Sequence, residues 1–275
     1  MTYRAREVIG DAVLYLGDAL DVLQHEGSFG ADALISDPPY CSGGFSEAAK
    51  RSAKGQGLRS ETLREEDAWF GGDNMTSAGL QWLLRSVAVA FKGHAVDKAA
   101  TASFFCDWRM VPLLATAIES AGLRFQAMPV WDKQAVGLGV GFRAQHEIVL
   151  HFSIDTPRYH SKSYGNVLRA PRMPADRNHP TEKPVALMAA LVDVQARPGM
   201  LVLDPFMGSG STGVAAVAKG RRFVGVEHDP KHFATACRRL EAAAKQREIF
   251  ADPFADAPPA VAGDLVQGEL LGGVA

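Results

Sequence analysis

The sequence predicts an α/β fold built on a largely parallel sheet, and three observations carry that prediction. Residues 201–204 form a short apolar strand that runs into Pro205, Phe206, Met207, Gly208, Ser209 and Gly210, and a helical pattern follows at 213–219. Residues 31–35 form a second strand of the buried type, stopped by Pro38 and Pro39, which cannot donate to a strand ladder. Around these two stretches strand and helix periodicities alternate, and two late strands in succession predict an antiparallel edge. Ligands of such sheets bind where the strands end, so both special turns fall on the expected ligand edge.

With 275 residues, 47% of them hydrophobic, the chain can bury a full core, and one large domain fits as well as two small ones. Cys41, Cys106 and Cys237 lie far apart with no metal-ligand spacing, so a reduced, cytoplasmic setting with no disulfide and no metal is the expectation. No apolar run approaches the length that spans a bilayer, and no membrane partner is expected. The net charge of −2 hides an imbalance: residues 251–275 hold Asp252, Asp256, Asp264 and Glu269 with no Lys or Arg, which leaves the rest at +2. That Ala-, Pro- and Gly-rich tail is expected to be disordered.

In chain order, residues 13–17 read as a strand, followed by Asp18, Ala19 and a helical turn at 20–23. Asp18 either takes an amino group of a nucleotide cofactor or caps the helix. The strand at 31–35 delivers Asp37, Pro38, Pro39 and Tyr40 together. The exocyclic amine of a nucleobase is a poor nucleophile, because its lone pair is delocalised into the ring. Asp37 and the Pro38 carbonyl could each accept one N–H, which favours a tetrahedral nitrogen and stabilises its developing positive charge. Tyr40 could stack on the base once it leaves the duplex, worth roughly 1–3 kcal/mol. Alternatively the group is a proline-punctuated turn, with Asp37 as a local cap and Tyr40 as packing.

Residues 41–60 combine four Gly and four Ser with Lys50, Arg51, Lys54 and Arg59 against a single Glu47, either a basic loop that closes on DNA phosphates or a solvated linker. Trp69 and Phe70 follow, as packing or as a wedge. A helix is predicted over 80–91, a strand over 101–106, a helix over 111–121 ended by Gly122, and strands over 125–131 and 147–152 joined through Gly137, Gly139 and Gly141. Residues 155–178 then crowd Arg158, Tyr159, His160, Lys162, Tyr164, Arg169, Arg172 and Arg177 into a stretch with little apolar periodicity. Basic residues among tyrosines suit a DNA groove, and a solvated connector is the alternative.

A helix is predicted over 185–194, and Lys183 with the backbone N–H groups at its entrance could hold a carboxylate. After the helix at 213–219, a strand over 223–226 ends at Glu227, whose two oxygens suit a ribose. Asp229 and Pro230 open the last helix, which leaves His228 outside it and argues against a His228–His232 metal pair. The turn at 205–210 lacks the Gly-Lys-Ser/Thr of a triphosphate site. Asp204 before the glycines repels phosphate and attracts an ammonium, which points to S-adenosylmethionine, a ligand that would also supply an electrophile for the Asp37 turn.

These motifs resemble those of the β-class DNA amino-methyltransferases, in which an Asp/Asn/Ser-Pro-Pro-aromatic motif precedes the cofactor loop. Asp37 to Tyr40 is similar to the catalytic motif in its N6-adenine form, Asp204 to Gly210 to the Phe-x-Gly-x-Gly loop, and His179 to Pro184 to the His-Pro-Thr-x-Lys-Pro segment. Trp131 to Glu147 resembles the Trp-x-Lys and His-Glu stretch. The resemblance implies an S-adenosylmethionine-dependent methyltransferase Rossmann-like fold: a mixed seven-stranded sheet with one antiparallel strand and helices on both faces, in a single domain over 1–250. A catalytic half would span 12–153, a target-recognition insert 155–178 and a cofactor half 179–245.

It further implies that Asp204, Phe206 and Gly208 line the methionine part of the cofactor, with Pro205, Ser209, Gly210 and Thr212 in the same loop. Glu227, next to His228, would hold the ribose, Asp18 and Ala19 the adenine, and Lys183 the carboxylate. The implied reaction is methyl transfer to N6 of a flipped adenine in double-stranded DNA, by a homodimer, with S-adenosylhomocysteine as product. N4 of cytosine is the alternative target, and an RNA or protein methyltransferase a more distant one.

Overall fold

A computed structural model of the chain describes residues 3–39, 75–137, 141–172 and 182–250. Tyr40, Lys50, Arg51, Lys54, Arg59, Trp69, Phe70, Gly139, Arg177, His179 and the tail over 251–275 lie outside the described residues. The strands are β1 Tyr3–Ile9, β2 Ala12–Gly17, β3 Ala33–Ser36, β4 Thr101–Cys106, β5 Arg124–Ala127, β6 Val130–Asp132, β7 His146–Ser153, β8 Val167–Arg169, β9 Leu201–Asp204 and β10 Arg222–Glu227. The helices are α1 Ala19–His25, α2 Ser77–His94, α3 Val111–Ser120, α4 Val185–Gln195, α5 Ser211–Ala218 and α6 Pro230–Phe250.

All ten strands share one sheet, in the order β1-β2-β10-β9-β3-β4-β7-β6-β8, with β5 also paired to β7. From β2 to β4 every pairing is parallel, and β7 then runs antiparallel to β4, β5 and β6. The mixed sheet that the sequence predicts is present. Its central strands read as continuous apolar runs because both faces are covered. Leu34, Leu203, Val224 and Phe104 point into the core beneath α1, α2 and α3. Ala33, Ile35, Val202 and Phe223 point into the core beneath α4, α5 and α6.

Three differences from the sequence expectation have physical reasons. The single strand expected over 125–131 divides into β5 and β6, because Pro129 has no N–H to give; its carbonyl still accepts from Val149 N at 2.8 Å. The antiparallel hairpin of β1 with β2 adds an outer strand whose Arg4, Arg6 and Glu7 mask any apolar period, as suits an exposed edge. Within the basic segment 155–178, three residues form β8, a parallel partner of β6 too short to show a pattern. Among the described residues the seven expected strands thus become ten.

Fully buried Leu34 occupies the central strand, while Val8 stands 57% exposed on the outer one. Leu34→Ala is expected to lower unfolding free energy by about 2–5 kcal/mol, against less than about 0.5 kcal/mol for Val8→Ala, in urea titrations followed by circular dichroism.

Candidate active site

Because β2, β10, β9, β3 and β4 are parallel, their carboxyl ends share one edge of the sheet. Asp18, Glu227, Asp204, Asp37 and Asp107 leave the strands there. The polypeptide therefore brings a row of carboxylates to one rim, although they come from distant parts of the sequence.

At its centre lies Asp204, 2% exposed. Its Oδ1 accepts from Ser36 Oγ at 2.5 Å and from Phe206 N at 3.1 Å, and its Oδ2 accepts from Thr212 Oγ1 at 2.6 Å. Burial pushes its pKa up to about 7, against the opposing pull of the Ser36 and Thr212 hydroxyls and with a further push from nearby Asp37. The sequence expectation aimed Asp204 at a ligand ammonium. In the structure its oxygens hold the protein's own donors, so it braces the turn from behind.

The turn itself needs glycine at two places. Gly208 and Gly210 have φ of 54° and 86°, and a Cβ on Gly210 would come within 2.9 Å of Leu240 Cδ1 and 3.0 Å of Ala236 Cβ. A Cβ on Gly208 would meet nothing, so its outer side lies open to a close-approaching ligand. Glu227 Oε2 accepts from Gly208 N at 2.9 Å, and Glu227 Oε1 accepts from Asp229 N at 2.7 Å with His228 Nδ1 at 3.1 Å. The predicted ribose carboxylate therefore sits against the glycine turn, and His228 lies beside it at the surface. Arg239 of α6 donates to Ser209 O and Ser209 Oγ at 2.8 and 2.9 Å and pairs with Glu182. Nothing in the sequence pattern marked Arg239 or Glu182 for this strut. Pro205 and Phe206 open the turn. Ala19 is buried as the first residue of α1, and Asp18 caps that helix, its Oδ1 accepting from Leu20 N and Asp21 N at 2.8 and 3.0 Å. Capping was one of the two roles read for Asp18.

Pro38 and Pro39 follow Asp37 directly after β3. Asp37 Oδ2 receives a hydrogen bond from Lys183 Nζ at 2.5 Å. Lys183, only 7% exposed, also lies 3.2 Å from Glu147 Oε2, and Glu147 Oε1 is 2.6 Å from Lys133 Nζ. The Phe105 and Trp131 rings stand 5.1 and 5.9 Å from the same ammonium. Burial would depress Lys183, but Asp37 and Glu147 together outweigh it and hold its ammonium above the usual lysine range. Burial likewise pushes Glu147 up, and Lys183 and Lys133 bring it below the usual range. Lys183, expected to meet a cofactor carboxylate, instead meets two carboxylates of the protein.

The predicted DNA-facing cluster splits between two edges. Arg158 N donates to Ala99 O, and His160 N to Val194 O, which puts this stretch at the amino ends of the strands. Six strand positions separate that level from Asp37, about 20 Å. Arg158 pairs with Asp97, Tyr159 hydroxyl lies 3.1 Å from His151 Nε2, and Tyr164 hydroxyl donates to Asp193 at 3.1 Å, with Lys162 between them in the chain. Arg158, Tyr159, Lys162 and Tyr164 are thus corrected to the far edge, because the chain must finish β7 there before β8 carries it back. Arg169 and Arg172 return to the active rim, where Arg169 faces Asp132 at 3.8 Å. Residues 133–137 and 141–145 join them there, with Phe142 and Arg143 exposed. Among the described residues no cluster of His, Cys, Asp or Glu could hold a metal, and no helix is long and apolar enough to cross a membrane.

A family profile described as DNA methylase matches residues 155–238. DNA adenine methyltransferase YhdJ of Escherichia coli (strain K12) is 43% identical over 91 residues, 32% of this chain and 31% of that protein. The chain thus spans under a third of that relative, whereas its match to YubD of the same organism, 28% identical over 226 residues, covers 82% of this chain and 88% of the other. Among solved structures, the M1.HpyAVI-SAM complex superposes with TM-score 0.60 at 22% identity, over 83% of this chain and 98% of that one. The cytosine-N4-specific PvuII DNA methyltransferase superposes with TM-score 0.66 at 15% identity, over 89% and 94%. The fold is that of these methyltransferases.

Since the Asp204 pKa is raised above its ordinary value, the stability it contributes is fully present below about pH 4 and is lost as pH rises through about 7. Asp204→Asn removes that dependence. The melting temperature of the unmodified chain relative to the variant is expected to fall between about pH 5 and about pH 8, read by differential scanning fluorimetry.

Proposed function

We propose that the chain is an S-adenosylmethionine-dependent DNA methyltransferase that acts on N6 of adenine flipped out of double-stranded DNA. The carrying observation is the join between two motifs: β3 and β9 are adjacent and parallel, and the Ser36 hydroxyl beside Asp37 is bonded to Asp204 at the foot of the glycine turn. A cofactor in that turn and an amine at Asp37 would meet across neighbouring strand ends. The adenine reading is supported by the Asp form of the motif and by the likeness to YhdJ over the matched residues.

In this reading Asp37 and the Pro38 carbonyl accept the two N6 hydrogens, and Tyr40 stacks on the base. The N6 lone pair attacks the sulfonium methyl; the carbon–nitrogen bond forms as the carbon–sulfur bond breaks, and its electron pair stays on sulfur, giving S-adenosylhomocysteine. The methylated nitrogen then gives up its proton to Asp37, which passes it to water. A carboxylate is too weak a base to remove that proton beforehand, so its work lies in stabilising the charge that develops. Glu227 holds the ribose, Asp18 and Ala19 border the adenine of the cofactor, and Gly208 lets the methionine part approach the backbone.

Arg169, Arg172 and the loop over 133–145 face the duplex, joined by the basic segment that includes Lys50, Arg51, Lys54 and Arg59. A homodimer in the cytoplasm, with residues 1–250 as one domain, completes the reading. N4 of cytosine is the second reading, favoured by the PvuII likeness in fold, because both amines present the same geometry.

Incubation of unmethylated genomic DNA with isotopically labelled S-adenosylmethionine, then digestion and mass spectrometry of the nucleosides, is expected to give labelled N6-methyladenine. Labelled N4-methylcytosine would replace the base assignment, and no labelled base would refute the reading. Asp37→Ala is expected to lower turnover about 100-fold or more while cofactor affinity changes little.

A further inference from the structure

We propose that Lys183 is a positioning residue for Asp37, and that Glu147 and Lys133 complete a charge chain that fixes the carboxylate in its working rotamer. The inference rests on the function proposed above and departs from the expectation that Lys183 grips the cofactor's carboxylate. Four side chains alternate in sign, with Nζ to oxygen separations of 2.5, 3.2 and 2.6 Å from Asp37 through Lys183 and Glu147 to Lys133. They come from four elements: the end of β3, the approach to α4, β7, and the end of β6.

An ammonium buried this deeply and bracketed by two carboxylates cannot swing toward a third without stranding both. The surroundings restrict it further: Phe105 and Trp131 flank Lys183, and Trp131 Nε1 is itself anchored to Ala170 O at 2.9 Å. A carboxylate can accept up to about four hydrogen bonds, so the Lys183 bond on Oδ2 restrains the group without exhausting its capacity to accept from the target amine. The chain also ties the catalytic turn to the hairpin of β6 and β7, whose loop lies on the same rim.

The test compares the unmodified chain with Lys183→Met, Lys183→Arg and Glu147→Gln. Cofactor affinity is read by calorimetry with S-adenosylhomocysteine, methyl transfer by single-turnover labelling of DNA, and folding by thermal melting. Transfer is expected to fall at least about 10-fold in Lys183→Met and Glu147→Gln, with S-adenosylhomocysteine affinity within about 2-fold and partial recovery in Lys183→Arg.

The acidic limb of the transfer rate should also move up by about one pH unit in Lys183→Met, because Asp37 would lose the ammonium bonded to it while Glu147 and Asp204 remain nearby. Glu147→Gln leaves Lys183 in place and covers the case in which Lys183→Met does not fold. Affinity falling in step with transfer would make Lys183 a cofactor anchor and overturn the proposal. Unchanged transfer in folded variants would overturn it alone, whereas no transfer by the unmodified chain would overturn the proposed function with it.

Discussion

One buried carboxylate holds the two parts of this site together. Asp204 collects a hydroxyl from β3, a hydroxyl from α5 and a backbone N–H from the turn between β9 and α5. Removing a carboxylate from water is costly unless its lone pairs are met, and here the donors are three short, well-placed groups. Among the described residues no buried side-chain polar atom is left without a partner. Because Ser36 immediately precedes Asp37, the separation between the Asp37 turn and the glycine turn is set by that one group. The rest of the rim is arranged around this fixed distance.

Two further contacts extend the bracing outward. Arg239 reaches from α6 to Ser209 on one side and Glu182 on the other, so the glycine turn and the segment leading to Lys183 share a strut. Lys183 then carries the connection to Asp37 and Glu147. Asp37, Asp204, Glu147 and Glu227 thus sit on, or directly after, strands whose apolar residues lie in the two cores. Such a site can meet its ligands with little rearrangement, which is where positional precision in a catalytic centre comes from.

Much of this was legible in the sequence, and the reasons are local. Strands β3, β4, β9 and β10 are mostly apolar and almost wholly buried because helices cover both faces, and the glycines of the turn are forced by left-handed backbone and close packing. Asp229 announced its helix because capping depends only on the next three residues. What escaped was non-local or featureless. Lys183 and Asp37 are 146 residues apart, and Ser36 and Asp204 are 168 apart, so no spacing rule links them. Arg158, Tyr159 and Tyr164 have the composition of a DNA groove, but composition does not say at which end of a strand a loop lies. The outer strand β1 and the three-residue β8 are too charged or too short to show a period.

The order of the strands also bears on how the chain is made. Strands β2 and β3 follow each other in the sequence but are separated in the sheet by β10 and β9, which come from the far end of the described chain. During synthesis the hairpin of β1 with β2, and the group of β3, β4 and β7, can form as two islands while the strands that join them are still being added. The middle of the sheet is completed last. Until then both islands present strand edges without neighbours, the kind of surface that pairs with other chains or engages chaperones. A nascent chain that ends before β9 lacks the neighbours of β2 and β3 in the sheet, and its Asp37 turn lacks the Ser36–Asp204 bond that ties it to the glycine turn.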